Sequence, residues 1–406
     1  MSAEKEQLLR EFGIWISFVT DLGKYDETIW DQHVDVGKWT LREITAHILR
    51  WDDYFFEAAI AKIEAGLPLT LKLLNFDEFN EEAKKYAKTI DLKELSRQAV
   101  RSRKRIIDTI ASLQEEQYKA AYQDADGLPF IIDKYLKDFF WHDQHHIEQM
   151  KHRIHFRIEE MSFNGWPALQ TVLYDGWLLR FAEGYTKRSN SIQAIYGNTL
   201  ELEHKIRSCE RLYQREGTRT VFKMTPFIQP ASLDEELALR GYELLDPTLV
   251  KTLHLDHVKL PNQADIWMDN EISEAWLDTN RVFNRLTEEQ SLVTQKMLEY
   301  SPLEKCFAIL HDNGIPVASG LAVIEDGWIG LYDIVTDSEK RNRGYGEQLI
   351  LHILQWGKSR GAKYGYLQVV KNNAPANRLY EKIGYELQYE YWYRAQQPNH
   401  IPNHLV

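Results

Sequence analysis

Apolar residues recur three and four positions apart through the first 156 residues of the chain. Leu8, Leu9, Phe12, Ile16 and Val19 make one stripe, and Leu41, Ile44, His47, Ile48, Trp51 and Phe55 make a second. That spacing predicts amphipathic helices. Thr40 stands just before the second stripe with Glu43 three residues on, the pattern of a reciprocal helix cap. Further helices are predicted over about 92–113 and 131–156, with a turn at 124–129. Arg97, Arg101, Arg103, Lys104 and Arg105 are assigned to the exposed faces of the third helix. Four long helices with little strand signal predict a four-helix bundle.

Beyond residue 156 the period shortens. Runs at 177–181, 191–195 and 220–224 read as strands, and they alternate with helical stretches, which predicts mixed α/β structure. A repeat lies within this half. A helical run ending at Gly217 leads into the strand at 220–224 and then to Gly241-Tyr242-Glu243-Leu244. A second run ending at Gly361 leads into a strand at 365–370 and then to Gly384-Tyr385-Glu386-Leu387. Two such units at matching spacing imply two α/β lobes of one type. The expected organisation is a helical bundle at 1–156, a first lobe at 157–256, a second at 257–396 and a tail at 397–406.

Composition narrows the class. A net charge of −12 argues against broad nucleic-acid binding, which needs a basic face. Cys209 and Cys306 show no metal or disulfide spacing, so each is expected to be a small buried apolar side chain. No apolar run is long enough to span a membrane, and the charged start of the chain does not look like a signal peptide. A cytoplasmic protein is the expectation.

The strand around 331–335 carries Ile334 and Val335 and runs into Arg341, Asn342, Arg343, Gly344, Tyr345 and Gly346, followed by an apolar-periodic helix. Glycines let the backbone approach a ligand, and the free N–H groups of a first helical turn suit a pyrophosphate. No Gly-Lys-Ser/Thr follows and the third dinucleotide glycine is missing, so neither nucleotide-loop pattern applies. Twenty-seven residues past Gly346 comes Asn373, with Ala376, Leu379, Tyr380, Glu381, Lys382, Gly384 and Tyr385 after it. Together these segments resemble the GNAT acyltransferase superfamily over about residues 264–394. The resemblance implies acetyl-CoA as donor and an amine as acceptor. It implies that the backbone around Ile334 and Val335 holds the pantetheine, with the 341–346 loop on the pyrophosphate and Asn373 and Ala376 contributing. Tyr380 would protonate the departing thiolate, a task a phenol suits because it stays neutral and donates. Some members carry a glutamate base near the start of this strand. Here Trp328-Ile329-Gly330 has none, Asp333 and Glu325 are weak candidates, and the base stays unassigned.

The first lobe is similar to tandem members of the same superfamily. An offset of 144 residues sets Gly197, Asn198, Thr199, Leu200, Glu201 and Leu202 against the loop, replacing both glycines and adding an acid, so this lobe is not expected to bind CoA. Arg180, Thr186, Arg188 and Asn190 form a polar cluster that could face an acceptor.

His142 and His146 are four apart on one helix face, a platform for a metal. His47 lies on the apolar stripe, where a single histidine is usually a satisfied core residue. The combination resembles the DinB/YfiT-like superfamily over about residues 5–155. That resemblance implies a three-histidine site, His47, His142 and His146, for a divalent metal such as Zn, Ni, Fe or Mn, with His145 as a substitute one step off the face. The leading functional reading is an acetyltransferase of a small-molecule amine fused to a metal-binding bundle. The alternatives are a metal-dependent thiol transferase or hydrolase at the histidines, and a non-catalytic regulator that binds CoA or metal. A homodimer is left open.

Overall fold

A computed structural model describes residues 2–197, 199–262 and 264–397; Asn198, within the first-lobe loop, and the tail from 398 onward lie outside them. Contacts divide the chain into two compact units, Met1–Ile154 and His155–Val406.

The first unit is helical: α1 (Ala3–Phe12), α2 (Ile14–Leu22), α3 (Leu41–Phe55), α4 (Phe76–Thr89), α5 (Leu92–Ser112) and the first part of α6 (Ile132–Gly165). Thr40 and Glu43 close the reciprocal cap of α3, a device that contributes about 1 kcal/mol. Helix α4 has no counterpart in the apolar pattern, because only Ala83 and Ala87 are its buried residues. Asn75 caps it and Asp77 and Glu78 favour its first turn. Leu8, Phe12, Ile60, Ile106, Ile110 and Leu136 lie in the core between the helices. One expectation fails here. Arg103 is not on an exposed face but fully buried, because its guanidinium pairs with Asp52 and Asp143 on neighbouring helices.

The second unit is built on one eleven-stranded sheet. Its strands are β1 (Gln170–Tyr174), β2 (Trp177–Phe181), β3 (Ile192–Gln193), β4 (Val221–Met224), β5 (Glu243–His254), β6 (Asp265–Asp269), β7 (Glu304–Asp312), β8 (Ile315–Glu325), β9 (Trp328–Thr336), β10 (Tyr364–Val370) and β11 (Glu386–Ala395). They lie in the order β1-β2-β3-β4-β11-β5-β10-β9-β8-β7-β6. The last strand of each lobe has crossed over. β5 pairs antiparallel with β10, from Tyr364↔His254 to Val370↔Thr248, while β11 pairs antiparallel with β4. The two exchanged strands also pair with each other, so the lobes interlock about residues that lie on both sides of position 256.

The repeat is visible in the elements. Helix α7 (Leu202–Arg215), β4, α8 (Leu233–Leu239) and β5 recur as α11 (Tyr345–Ser359), β10, α12 (Ala374–Ile383) and β11. The helix starts are 143 residues apart, one fewer than the sequence alignment used. Gly344 therefore corresponds to Glu201 rather than Leu200. Two further helices, α9 (Glu274–Asn284) and α10 (Glu288–Glu299), lie between β6 and β7 in the chain. Cys209 and Cys306 are buried and unpaired. No helix among the described residues is long and apolar enough to cross a membrane.

Candidate functional site

In the first unit His47 on α3 meets His142 and His146 on α6, with ligand atoms of all three within 4.8 Å of one another. Each ring is held from behind. His47 Nδ1 lies 2.9 Å from Asn80 Oδ1, His142 Nδ1 3.3 Å from Asp143 Oδ1, and His146 Nδ1 3.2 Å from Gln149 Oε1. A side-chain oxygen facing Nδ1 fixes the proton there and leaves the Nε2 lone pair pointing inward. Nε2 of His47 and His142 are 3.1 Å apart. Metal–nitrogen bonds of about 2.0–2.1 Å set neighbouring ligand nitrogens roughly 3.0–3.4 Å apart, so the pair fits a shared cation. Burial, reinforced by the neighbouring histidines, pushes His47 down to about 3 and His146 down to about 4, which keeps both rings neutral. Trp39 sits edge-on to His47 at 5.0 Å, and Phe139 flanks His142 at 5.6 Å. His145 lies beside His146 but outside the converging group.

Behind this group lies a buried ion triad. Arg103 donates to both Asp52 oxygens at 2.9 and 3.0 Å and to Asp143 Oδ2 at 2.5 Å, while the other oxygen of Asp143 faces His142. The sequence reading missed Asn80, Asp143 and Arg103. Asp143, next to His142, was the one available signal; Asn80 and Arg103 come from helices whose arrangement around the histidines is set by tertiary packing.

In the second unit β9 and β10 run parallel only from Trp328↔Tyr364 to Leu331↔Leu367. Beyond that point they part. The divergence begins where β8 shifts register between Ser319 and Leu321 and Asp333 takes a left-handed φ of 45°, the signature of a bulge that bends one strand. Ile334 and Val335 thus lie beyond the last β10 partner, on a stretch of strand with one open edge, while Val335 still pairs with Ser319 of β8. The Ile334 side chain packs into the core, across Gly320, where a Cβ would come within 2.6 Å of it.

Past this edge Arg341, Asn342, Arg343 and Gly344 are exposed. Gly344 caps α11 at φ 85°, a conformation natural to glycine. The N–H groups of Tyr345, Gly346 and Glu347 precede the first intrahelical donor, Gln348, which bonds to Gly344. The Tyr345 hydroxyl donates to Asp312 at 2.6 Å. Asn373 caps α12 by accepting from Ala376 N at 3.3 Å. Asn377, which sequence reasoning missed, donates to the carbonyls of Val370, Lys371 and Asn373 and so clamps the turn after β10.

Tyr380, on α12, is buried, and its hydroxyl makes no hydrogen bond to another described residue; desolvation pushes it up to about 12, opposed by the charge of Arg188. Asp333 faces the same Arg188, whose guanidinium is 3.9 Å away, and accepts a long contact of 3.5 Å from Asn280. Burial pushes the Asp333 carboxyl upward against that attraction. Glu325 is different: Arg157 and Asn164 hold it in a structural ion pair. Of the polar cluster in the first lobe, Arg180 binds the carbonyls of Arg188, Phe163 and Trp166, Thr186 accepts from Trp166, and Asn190 ties the 182–186 turn together. Only Arg188 reaches Asp333.

The corresponding helix start in the first lobe is already filled. Asp175 accepts from the N–H groups of Thr199 and Leu200, which hold its carboxyl well below the usual range, and Glu201 accepts from Glu203 N and His204 N. The backbone donors at this helix start meet internal carboxylates.

Residues 156–394 match the family model described as "Probable histone acetyltransferase Rv0428c C-terminal". The chain belongs to this family. Residues 14–150 match the DinB superfamily model, so a DinB domain precedes the GNAT-like region. The "Uncharacterized N-acetyltransferase YobR" of Bacillus subtilis is 30% identical over 244 residues, covering 59% of this chain and 98% of that protein. Among solved structures, a GCN5-related N-acetyltransferase from Kribbella flavida is 14% identical, with a TM-score of 0.48 over 61% of this chain and 96% of that one. YfiT from Bacillus subtilis, described as a probable metal-dependent hydrolase, is 18% identical, with a TM-score of 0.31 over 38% of this chain and 87% of that one. The protein is an acyltransferase of the GNAT type, and that fold implies acetyl-CoA as the donor.

Proposed function

We propose that the second lobe transfers the acetyl group of acetyl-CoA to the amine of a small molecule. The observation that carries this is a splayed strand pair that leads into a glycine-bounded helix start, with a buried phenol and a buried carboxylate that both feel the charge of Arg188. In this reading the backbone of Ile334 and Val335 binds the pantetheine. Arg341, Arg343 and the N–H groups of the 341–346 loop bind the pyrophosphate, with Asn342, Asn373 and Ala376 shaping its walls. Asp333 takes one proton from the acceptor's ammonium, which burial has prepared it to accept. The neutral amine attacks the thioester carbon, a C–N bond forms and the C–S bond breaks. Tyr380, still protonated at neutral pH, gives its proton to the departing thiolate, which leaves as the thiol. The surplus proton on the acylated nitrogen then restores the phenol.

His47, His142 and His146 would hold a divalent metal in the first unit; three imidazole ligands leave positions open for water or substrate, where the ion would act as a Lewis acid. Convergence of three lone pairs also favours a second reading, in which this unit has its own transferase or hydrolase activity.

The test is titration calorimetry of acetyl-CoA into the wild type and a Gly344→Asp, Gly346→Asp variant, with metal content read on both. One site per chain, lost in the variant while its circular dichroism is unchanged, is the expected result. Undiminished binding in the variant would move the donor site elsewhere. His47→Ala and His142→Ala should empty the metal site and leave acetyl-CoA binding intact.

A further inference from the structure

Arg188 is unusual among the arginines around this site. It is mostly buried, with a quarter of its side chain exposed. Its guanidinium lies against the rings of Trp166 and Tyr332, 5.0 and 5.9 Å from their centroids. Its nearest acid, Asp333, is 3.9 Å away, beyond hydrogen-bond distance, and the side chain donates to no other described residue. A guanidinium has five donors in a planar fork, and leaving them unmet in a half-dry site is costly. By contrast Arg180, eight residues earlier on β2, is satisfied by three carbonyls. The aromatic rings hold Arg188 in place without using its donors, which is how a binding arginine differs from a structural one.

The neighbours set the size of what could bind. Asp333, Asn280 and Arg188 surround one spot, and Tyr185 and Tyr380 lie within electrostatic reach of Asp333 and Arg188 respectively. The two opposite charges are separated by one loose ion-pair distance. A ligand that satisfies both must carry an ammonium and an acid almost side by side.

We propose that Arg188, supplied by the first lobe, receives a carboxylate of the acceptor, and that the acceptor is therefore an amine with a carboxylate on the same or the adjacent carbon: an amino acid in chemical class. The inference rests on the acyl-transfer reading, in which Asp333 faces the reacting nitrogen. It also assigns the first lobe a task. That lobe has lost its own phosphate site and holds the specificity arginine of its partner lobe instead.

The experiment compares amino acids with the matching amines that lack the carboxylate, and with their methyl esters, by release of CoA thiol and by calorimetric binding. Wild-type chain should favour the acids in kcat/KM on the order of 10²-fold, as expected for a desolvated charge pair. Arg188→Met should erase that preference while keeping acetyl-CoA binding, and Arg188→Lys should restore only part of it. Equal use of acids and amines by the wild type, or an equal loss for both in Arg188→Met, overturns the proposal. Binding of the panel to Tyr380→Phe separates the two readings. Carboxylate-dependent binding without turnover in the wild type counts against acyl transfer alone, and turnover indifferent to the carboxylate counts against Arg188 alone. Absence of binding by any acid of the panel overturns the assignment.

Discussion

Replacing Arg103 by methionine should be among the most damaging single changes to the first unit. The substitution keeps the aliphatic stem of the side chain and drops the buried guanidinium. It removes the counter-charge from Asp52 and Asp143, whose side chains are 0% and 3% exposed. It also removes the bond to the Phe12 carbonyl and the stacking on the Phe12 ring at 3.9 Å. Breaking a buried pair from one side costs about 3–5 kcal/mol, because charges or forced neutral acids are left without partners. At 1.36 kcal/mol per factor of ten, that loss is roughly a 10²–10⁴-fold rise in the exchange of amides that open only with the whole unit. Hydrogen–deuterium exchange of peptides from α3 and α5 in the full chain reads this directly, and peptides from the β-sheet serve as the internal reference. The triple variant Arg103→Met, Asp52→Asn, Asp143→Asn should recover much of the loss, since replacing all partners by neutral groups leaves far less to desolvate. An increase below tenfold in the single variant would refute the reasoning, as it would mean the carboxylates are hydrated. So would a triple variant no better than the single one.

Three further outcomes are expected. In chelator-treated protein, His47 and His146 are neutral when folded but titrate near 6.5 when unfolded, with folded values of about 3 and 4. The unfolded chain therefore binds the extra protons first. Stability of the first unit should be full above about 6.5 and fall as pH drops toward 4, more gently in His47→Gln; a flat exchange profile over that window would contradict the burial argument. Tyr380→Phe should lower kcat about 10²-fold with acetyl-CoA affinity unchanged, and an unchanged kcat in thiol-release assays would remove its role. Asp333→Asn should abolish the acidic limb of the rate profile, which in wild type should lie above the ordinary carboxylate value of 3.8 because burial disfavours the charged form; persistence of that limb would exclude Asp333 as the base.

Local chemistry was legible from residue order. The α3 cap, the capping glycine of α11 and the helix-strand-helix repeat each depend on neighbours within a few positions, and the structure has them where the pattern predicts. The convergence of His47 with His142 and His146 was legible only through family resemblance, since an isolated histidine on an apolar stripe reads as core. Helix α4 escaped because its buried face is two alanines, too weak an apolar signal, and with it went Asn80. The one-residue error in aligning the first-lobe loop arose because nothing local marks the offset once the glycines are lost.

What the sequence by itself determined is therefore the inventory: a helical first part, two α/β units of one type, one glycine-bounded loop before a helix and three histidines. Such features follow from periodicity and from backbone conformations that single residues impose. Tertiary structure alone decided that Arg103 is buried, that β5 and β11 change places between the lobes, and that Arg188 of one lobe faces Asp333 of the other. Charge burial and strand exchange depend on partners 40 or more residues away, and a charged side chain carries no mark in sequence of whether its partner will be water or protein.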